Sequence, residues 1–285
     1  MGCGMTPREM GNLGSTWIRL CMVLTVFLAI TPRLCIAGNQ EDDDPHKFQA
    51  TMFWFNAHPS GSMQGAGSNG YVDFQRDFAL GSYSTVSGKI DWRFTRKNHI
   101  FFAVTPFNRT RSVVLSRDVN FQGQTFPAGI AAKGSLNVLA MAPGYQRDII
   151  RRKRGHLGIA VQLNLFYIKG KLESVTQTSN GTLHPGMSSS ASLRAPLPVA
   201  GPDFRLYLLP HSERLFVTGN LMGMYFFGYG NFISTVDTIG ITLNKHLSLK
   251  GGYQLGSRLN VNNKSDRVGI NLTQKGAVAG IEVSF

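Results

Sequence analysis

Apolar and polar residues alternate along most of the chain after residue 45. From Leu157 to Tyr167 the odd positions are apolar and the even ones are small or polar, and the stretch that begins at Leu247 alternates in the same way. A period of two indicates β-strands, whereas an amphipathic helix repeats apolar positions three and four residues apart. The pattern therefore predicts an all-β chain.

Breaks in the alternation predict how the strands are connected. Four short basic or polar breaks are interpreted as tight turns, at 96–99, 151–154, 210–214 and 244–246. Five longer connections rich in Gly, Ser and Asn fall roughly at 56–70, 118–130, 175–189, 227–233 and 260–265. Together they predict ten antiparallel strands, near 47–56, 71–95, 99–118, 130–150, 155–174, 189–209, 213–227, 232–244, 246–260 and 265–285.

Hydropathy excludes a polytopic helical membrane protein. The mean hydropathy is −0.06, and the most apolar stretch, Leu20 to Ile30, is shorter than the ~20 residues that a spanning helix needs. A soluble β-domain and a membrane β-barrel both remain possible, because the outward apolar residues of a barrel alternate with polar ones and leave the average low.

The first residues have the layout of a secretory signal. Arg8 and Arg19 precede the apolar stretch, and Cys35-Ile36-Ala37 is an acceptable cleavage site. We expect a signal peptide at 1–37, an acidic leader at 38–46 and the β-domain at 47–285; an uncleaved anchor helix is the alternative. All three cysteines lie in 1–37, so a disulfide scaffold and a thiolate metal site are excluded from the mature chain.

The mature chain is basic, with a net charge of +11 after the signal is removed. Basic residues can indicate nucleic-acid binding when they form a stripe on one face. Here they cluster at strand ends and alternate within strands, so we expect no nucleic-acid partner.

The last nine residues, Ala277 to Phe285, carry a recognisable pattern. Gly280, Val283 and Phe285 are spaced as in the final strand of the bacterial outer-membrane β-barrel proteins, which this chain resembles. The resemblance implies a closed, antiparallel, up-and-down transmembrane β-barrel in the outer membrane of a Gram-negative cell. It also implies short periplasmic turns, long extracellular loops and recognition of Gly280, Val283 and Phe285 by the barrel-assembly machinery. Outer-membrane lipids and lipopolysaccharide are the other expected partners.

Barrel closure makes further predictions. The first strand, with Phe48, Ala50, Met52 and Trp54 on its lipid face, should pair with the last, since an open sheet edge is not tolerated in hydrocarbon. The sequence from Thr273 to Gly276 predicts a β-bulge, because the apolar positions change there from even to odd numbers. Two aromatic girdles are expected, with Trp92, Phe94, Tyr207 and Phe285 at the turn side and Tyr167 and Tyr253 at the loop side.

A ten-stranded barrel is only slightly wider than one whose interior is filled by side chains. Enclosed charges should therefore pair into a polar plug. Seven residues are predicted to form this interior network: Lys89, Asp91, Arg93, Arg205, Lys250, Arg258 and Glu282. We expect a structural or interaction role, with a narrow channel for small solutes as the alternative.

A surface hydrolase is a third hypothesis, because some barrels of this size are enzymes. Three segments contain suitable residue types: the leader from Glu41 to His46, His58-Pro59-Ser60, and His211-Ser212-Glu213. The leader lies on the wrong side, and neighbouring side chains of one tight turn cannot form a relay from base to nucleophile. His58 and Ser60 remain the first residues to test. We predict no metal and no cofactor, because the histidines are scattered and no phosphate-binding loop is present.

Overall fold

The computed structural model describes residues 47–64, 71–177, 183–209, 212–226, 230–263 and 268–285. The predicted signal peptide and acidic leader lie outside these residues. Ten long strands are β1 (Phe48–Gln64), β3 (Tyr83–Arg93), β4 (Asn98–Val114), β7 (Ala131–Arg152), β8 (Gly155–Gln177), β9 (Leu183–Leu209), β10 (Ser212–Phe226), β11 (Gly230–Asn244), β12 (Leu247–Asn263) and β13 (Val268–Ser284). Three short strands are β2 (Val72–Asp73), β5 (Val119–Phe121) and β6 (Gln124–Phe126).

The ten long strands form one closed antiparallel barrel. Each strand pairs with its neighbours in chain order, and β1 pairs with β13 along its length, from Gln49 opposite Ser284 to Gln64 opposite Gly269. At the seam, the Phe48 and Lys47 amides both donate to the Phe285 carbonyl, at 3.0 and 2.7 Å. Closure removes the unpaired strand edge. The all-β prediction, the number of barrel strands and the pairing of first with last are confirmed.

The strands agree with the predicted bounds at one end of the barrel and differ from them at the other. At the end with the short connections, here called the turn end, the strand limits agree with the predicted breaks. At the opposite end, called the loop end, β1 continues to Gln64, β8 continues to Gln177 and β9 begins at Leu183, so the connection between β8 and β9 is shorter than expected. The predicted second strand began too early, because residues 71–82 contain β2 and a turn before β3 starts at Tyr83.

An apolar band surrounds the outside of the barrel in its turn half. Phe48, Met52 and Trp54 point outward from β1, as predicted, and the exposed apolar residues of neighbouring strands continue the band. Trp92, Phe94 and Phe285 are exposed at the turn end, and Tyr167 and Tyr253 are exposed farther along their strands. Tyr207 is an exception to the predicted girdle, because its ring packs inside the barrel with a centroid 6.1 Å from that of Phe216.

The loop half of the barrel has the opposite arrangement. Its inward residues are apolar and fully buried, among them Leu136, Ile168, Leu172, Leu193 and Leu197. Its outward residues include exposed cations such as Lys133, Lys169 and Arg194. The barrel wall is thus apolar on its outer face in the turn half and apolar on its inner face in the loop half.

This inversion corrects the predicted β-bulge at Thr273–Gly276. β13 pairs with β1 without a register shift, and the even residues from Ile270 to Ser284 all face inward. The apolar positions change from even to odd because the interior changes from apolar to polar along the strand. A register irregularity occurs in the neighbouring strand instead, between Gln254 and Ser257 of β12.

Candidate functional site

Polar side chains fill the inside of the turn half, where alternation directs every second residue inward. Five of the seven residues predicted for the interior network lie on inward positions of this half and take part in its contacts: Lys89, Asp91, Arg205, Lys250 and Glu282. They come from β3, β9, β12 and β13, which are far apart in sequence and meet only because the sheet closes. Two groups of contacts can be distinguished.

The first group is centred on Glu282, whose side chain is almost fully buried. Arg205 Nη2 donates to Glu282 Oε1 at 2.6 Å, and Lys250 Nζ donates to Oε2. Thr51 Oγ1 donates a longer bond of 3.4 Å to Oε2. One carboxylate therefore joins two cations from different strands, and each charge has the partner that burial requires.

The second group is centred on His99. Its Nδ1 lies 2.9 Å from Asp91 Oδ1, and its Nε2 lies 3.1 Å from Asp148 Oδ2. Because a carboxylate oxygen only accepts, both bonds use the imidazolium form, with a hydrogen on each nitrogen. Asp148 also accepts bonds from Arg151 Nη1 at 2.8 Å and Gln146 Nε2 at 3.0 Å.

Four residues of this group were not predicted from the sequence: His99, Gln146, Asp148 and Arg151. A signal for the first three was present, because alternation within β4 and β7 places them on inward positions. His156 extends the group: its Nε2 lies 3.6 Å from Asp203 Oδ1, and its ring centroid lies 6.2 Å from that of His99. The two groups together, here called the polar layer, therefore span most of the barrel circumference in the turn half.

Three inward phenylalanines support the cations of this layer. Phe53, Phe101 and Phe216 each lie directly opposite a glycine on the next strand, at Gly280, Gly144 and Gly240. A Cβ atom on any of these glycines would come within 2.2 to 2.5 Å of the ring. The rings thus occupy the space that the missing side chains leave.

Each of these rings also receives a cation on its face. Lys89 Nζ lies 4.7 Å from the Phe101 centroid, and Arg205 Cζ lies 4.0 Å from the Phe216 centroid. Lys250 Nζ lies 5.9 Å from the Phe53 centroid. A cation over an aromatic face is attracted by the ring quadrupole, so the paired charges gain a second favourable contact inside the barrel.

The remaining two predicted network residues have other positions. Arg258 lies opposite Ile233 on the outward face and is exposed, because the irregularity in β12 reverses the alternation after Gln254. Arg93 is the last residue of β3, opposite His99, at the rim of the turn end.

The three residues of the predicted assembly signal lie on the closing strand. Gly280 makes room for the Phe53 ring, and Val283 faces outward opposite Ala50. Phe285 is 62% exposed, and its backbone amide donates to the Phe48 carbonyl at 2.8 Å.

Two segments close the loop end from inside, and we call them together the loop-end lid: residues 72–80, and the β5–β6 hairpin at 119–126. Phe74, Phe78, Phe121 and Phe126 are completely buried. Phe78 and Phe121 meet edge to face, with centroids 6.1 Å apart. Both rings lie over Gly170 on the inner face of β8, 3.6 and 3.8 Å from where its Cβ would be.

An ion pair between the partly exposed Arg117 and the buried Asp77 holds the lid in place. Asp77 is 1% exposed, and its Oδ2 accepts bonds from Arg117 Nη2 at 2.6 Å and from the Asp73 amide at 2.8 Å. Arg117 Nη2 also donates to the Tyr71 carbonyl at 2.9 Å. Since Arg117 lies between β4 and β5, this pair fastens the first lid segment to the base of the second.

Among the candidate residues for hydrolysis that the structure describes, no relay is assembled. His58 lies on the outward face of β1 opposite Lys275, and Ser60 lies opposite Thr273. Ser212 and Glu213 lie at the start of β10, whereas His211 and the leader fall outside the described residues.

Within the described ranges, no group of three or more His, Cys, Asp or Glu residues is arranged to hold a metal ion. No helix in that part of the chain is long and apolar enough to cross a membrane.

Comparison with known proteins identifies the architecture. No family model and no curated protein matches this sequence. The solved structure of the outer membrane protease OmpT from Escherichia coli matches with a TM-score of 0.56 and 11% identity, over 87% of this chain and 99% of OmpT. The toluene transporter TodX of Pseudomonas putida matches with a TM-score of 0.36 and 9% identity, over 86% of this chain and 91% of TodX.

The neisserial surface protein NspA gives a TM-score of 0.32 at 11% identity, over 84% of this chain and 97% of NspA. These proteins have different activities, and identities this low are informative about fold alone. Together with the closed ten-stranded antiparallel sheet, the match to OmpT shows that this chain has the fold of the bacterial outer-membrane β-barrel proteins.

Proposed function

We propose that this protein is an integral outer-membrane barrel with a structural or interaction role and a closed interior. Its turns lie in the periplasm, and its loop half projects outside the cell. The outward apolar band supports this placement, because residues such as Ile239 and Ile281 lose contact with water only when acyl chains cover them. The amino-terminal signal supports export.

Contacts inside the barrel at two levels carry the proposal of a closed interior. At the loop end, the buried rings of Phe78 and Phe121 lie on the inner wall over Gly170. Below them, in the turn half, the groups around Glu282 and His99 cross the interior. A solute would have to displace an apolar core and then break paired charges, so we expect no conduction.

Lipopolysaccharide is the partner that we propose for the outer wall of the loop half. Arg194 Cζ lies 5.5 Å from the centroid of the outward Tyr167 ring, at the upper edge of the apolar band. Lys169 is exposed two positions farther along β8, on the same face as Tyr167. Cations just beyond an apolar band suit the phosphates of an outer leaflet, since a guanidinium forms paired hydrogen bonds with phosphate oxygens.

Planar-bilayer recording tests the closed interior. The purified full chain should give no stable unitary conductance steps, whereas an open porin in the same lipid serves as the positive control. A variant in which a Gly-Ser linker replaces residues 73–79 should still block, because the polar layer remains. Stable steps from the unmodified protein would overturn the proposal and favour the narrow channel.

A further inference from the structure

Exposed cations cluster at the turn end on the β3–β4 connection, on the β7–β8 turn and on the last part of β7. We call them the turn-end basic patch: Arg96, Lys97, Arg147, Lys153 and Arg154. The registers place them side by side. Arg147 lies opposite Asn98, the residue that follows Lys97, and the Lys97 carbonyl accepts a bond of 2.8 Å from the Asp148 amide. Lys153 and Arg154 form the turn that ends β7 and begins β8.

No exposed acidic residue balances this charge on the same segments. Residues 94–97 and 147–155 contain one carboxylate, Asp148, which is buried and bound to His99 and Arg151 inside the barrel. Between the five patch residues and the described carboxylates, the structure shows no ion pair. Like charges held this close repel one another, so an external anion should be attracted to the patch.

The position of Arg147 indicates which kind of anion the patch meets. Its side chain points outward from β7, between Tyr145 and Ile149, which are both exposed on the apolar band. Its partner on β8 is Ile159, another residue of the band. A guanidinium at the turn-end edge of a lipid-covered wall extends to the headgroup level, where phosphates lie. A soluble acidic partner would reach the turn tips but would have no reason to meet Arg147.

We infer that the turn-end basic patch binds the phosphate headgroups of anionic phospholipids in the leaflet on the turn side of the membrane. This inference rests on the proposed membrane placement. Arg147 contacts the headgroup from the wall, whereas the two turns beyond it supply further cations. Tyr145 lies between wall and patch, and its hydroxyl donates to Asn98 Oδ1 at 2.5 Å, which fixes the ring at the level of the turn.

Lipid retention in native mass spectrometry tests the inference. The full chain is reconstituted into nanodiscs of phosphatidylcholine containing a minority of phosphatidylglycerol, and the bound lipids are counted after release. The unmodified protein should retain phosphatidylglycerol in preference to phosphatidylcholine. A variant with Gln at all five patch positions should lose that preference by about tenfold or more, as expected for several cations near a charged surface. An unchanged preference would overturn the inference.

A second variant with the same change of net charge is the control. It carries Gln at five exposed cations distant from the patch: Arg76, Arg111, Lys133, Arg258 and Lys275. This variant should keep the preference, and a loss equal to that of the patch variant would show that only overall charge matters and would contradict a local site. Glycerol 3-phosphate added at the same phosphate concentration should not displace the lipid, and displacement would contradict the role of the wall.

Flotation with vesicles of phosphatidylcholine alone separates this inference from the proposed function. Both variants and the unmodified protein should insert and float, because the apolar band is unchanged. If the unmodified protein inserts and retains no preference, the inference fails and the membrane placement stands. If nothing inserts, the membrane placement itself fails.

Discussion

Ile270 and Ile281 lie on the same strand, β13, and their side chains point to opposite sides of the barrel wall. Ile270 is 2% exposed within the loop half, whereas Ile281 is 43% exposed on the outside of the turn half. The strand does not shift register between them. The two residues therefore mark two different apolar environments, one inside the protein and one provided by the surroundings.

Alanine substitution at these two positions should have unequal effects. Ile270→Ala removes packed atoms from a core and should lower the free energy of unfolding by about 2 to 4 kcal/mol. Ile281→Ala leaves no internal cavity and should cost about 1 kcal/mol or less. Urea unfolding in lipid bilayers, followed by tryptophan fluorescence, measures both. Equal losses would contradict the inversion of the wall.

Glu282→Gln should be among the most destabilising polar changes. It leaves Arg205 and Lys250 buried without their shared carboxylate, which should cost about 3 kcal/mol or more. Glu213→Gln is the matched control, because Glu213 is exposed at the turn end, and its effect should stay within about 0.5 kcal/mol. Similar unfolding midpoints for the two variants would argue against a structural ion-pair layer.

Glycine substitutions test the packing of the three inward phenylalanine rings against the glycines opposite them. A Cβ atom at Gly240 would lie 2.2 Å from the Phe216 ring, so Gly240→Ala should destabilise the barrel by about 1 to 3 kcal/mol. At Gly251 no atom lies within 4 Å of the added Cβ, so Gly251→Ala should be neutral or slightly stabilising. The two variants are compared by the temperature at which the folded gel band disappears. If Gly251→Ala were as destabilising as Gly240→Ala, this explanation would be contradicted.

Asp77→Ala should loosen the loop-end lid while the barrel stays folded. Arg117 then loses its buried partner, and the Asp73 amide loses its acceptor. Hydrogen exchange of residues 71–82 should become about tenfold faster, since the loss of the buried Asp77 carboxylate leaves the Asp73 amide without its acceptor. Arg76→Gln removes a contact to the same carboxylate from a side chain that is 54% exposed, and it should change exchange little. Equal protection in both variants would disprove the fastening role.

Phe285→Ser tests the predicted assembly signal. The ring is exposed at the turn end, so its loss should change the stability of the folded barrel little. We expect a lower yield of folded protein in the outer membrane, measured by heat-modifiable gel migration of membrane fractions. Phe94→Ser is the control, because Phe94 is an exposed aromatic at the same end but not at the terminus. Equal yields from the two variants would contradict a specific role of Phe285 in assembly.

The period-two pattern was sufficient to predict strands, since a strand turns successive side chains to opposite faces wherever it lies, and the breaks in the pattern gave their number. Closure was expected from the resemblance carried by the last nine residues and from the cost of an open sheet edge in hydrocarbon. Lys89, Asp91, Lys250 and Glu282 were found in the same way, from their inward positions. The partners within the network were not predictable, because Arg205 and Glu282 are distant in sequence and meet across the barrel.

Errors arose where one rule was applied along a whole strand. Apolar positions were assigned to the outward face throughout, so their change from even to odd numbers was interpreted as a β-bulge at Thr273–Gly276. Alternation shows that two faces differ, but it does not show which face is inside. That choice depends on what covers each face, and only the tertiary structure reveals that residues 72–80 and the β5–β6 hairpin enter the barrel and give its loop half an apolar core.

The sequence by itself determined that this chain forms an antiparallel barrel of ten strands, because side-chain alternation and turn composition are local properties. Tertiary structure decided where the polar interior ends and the apolar core begins. The physical reason is that a side chain is stabilised by its surroundings, and the surroundings of Ile270 come from lid segments far away in the chain, whereas those of Ile281 come from outside the protein.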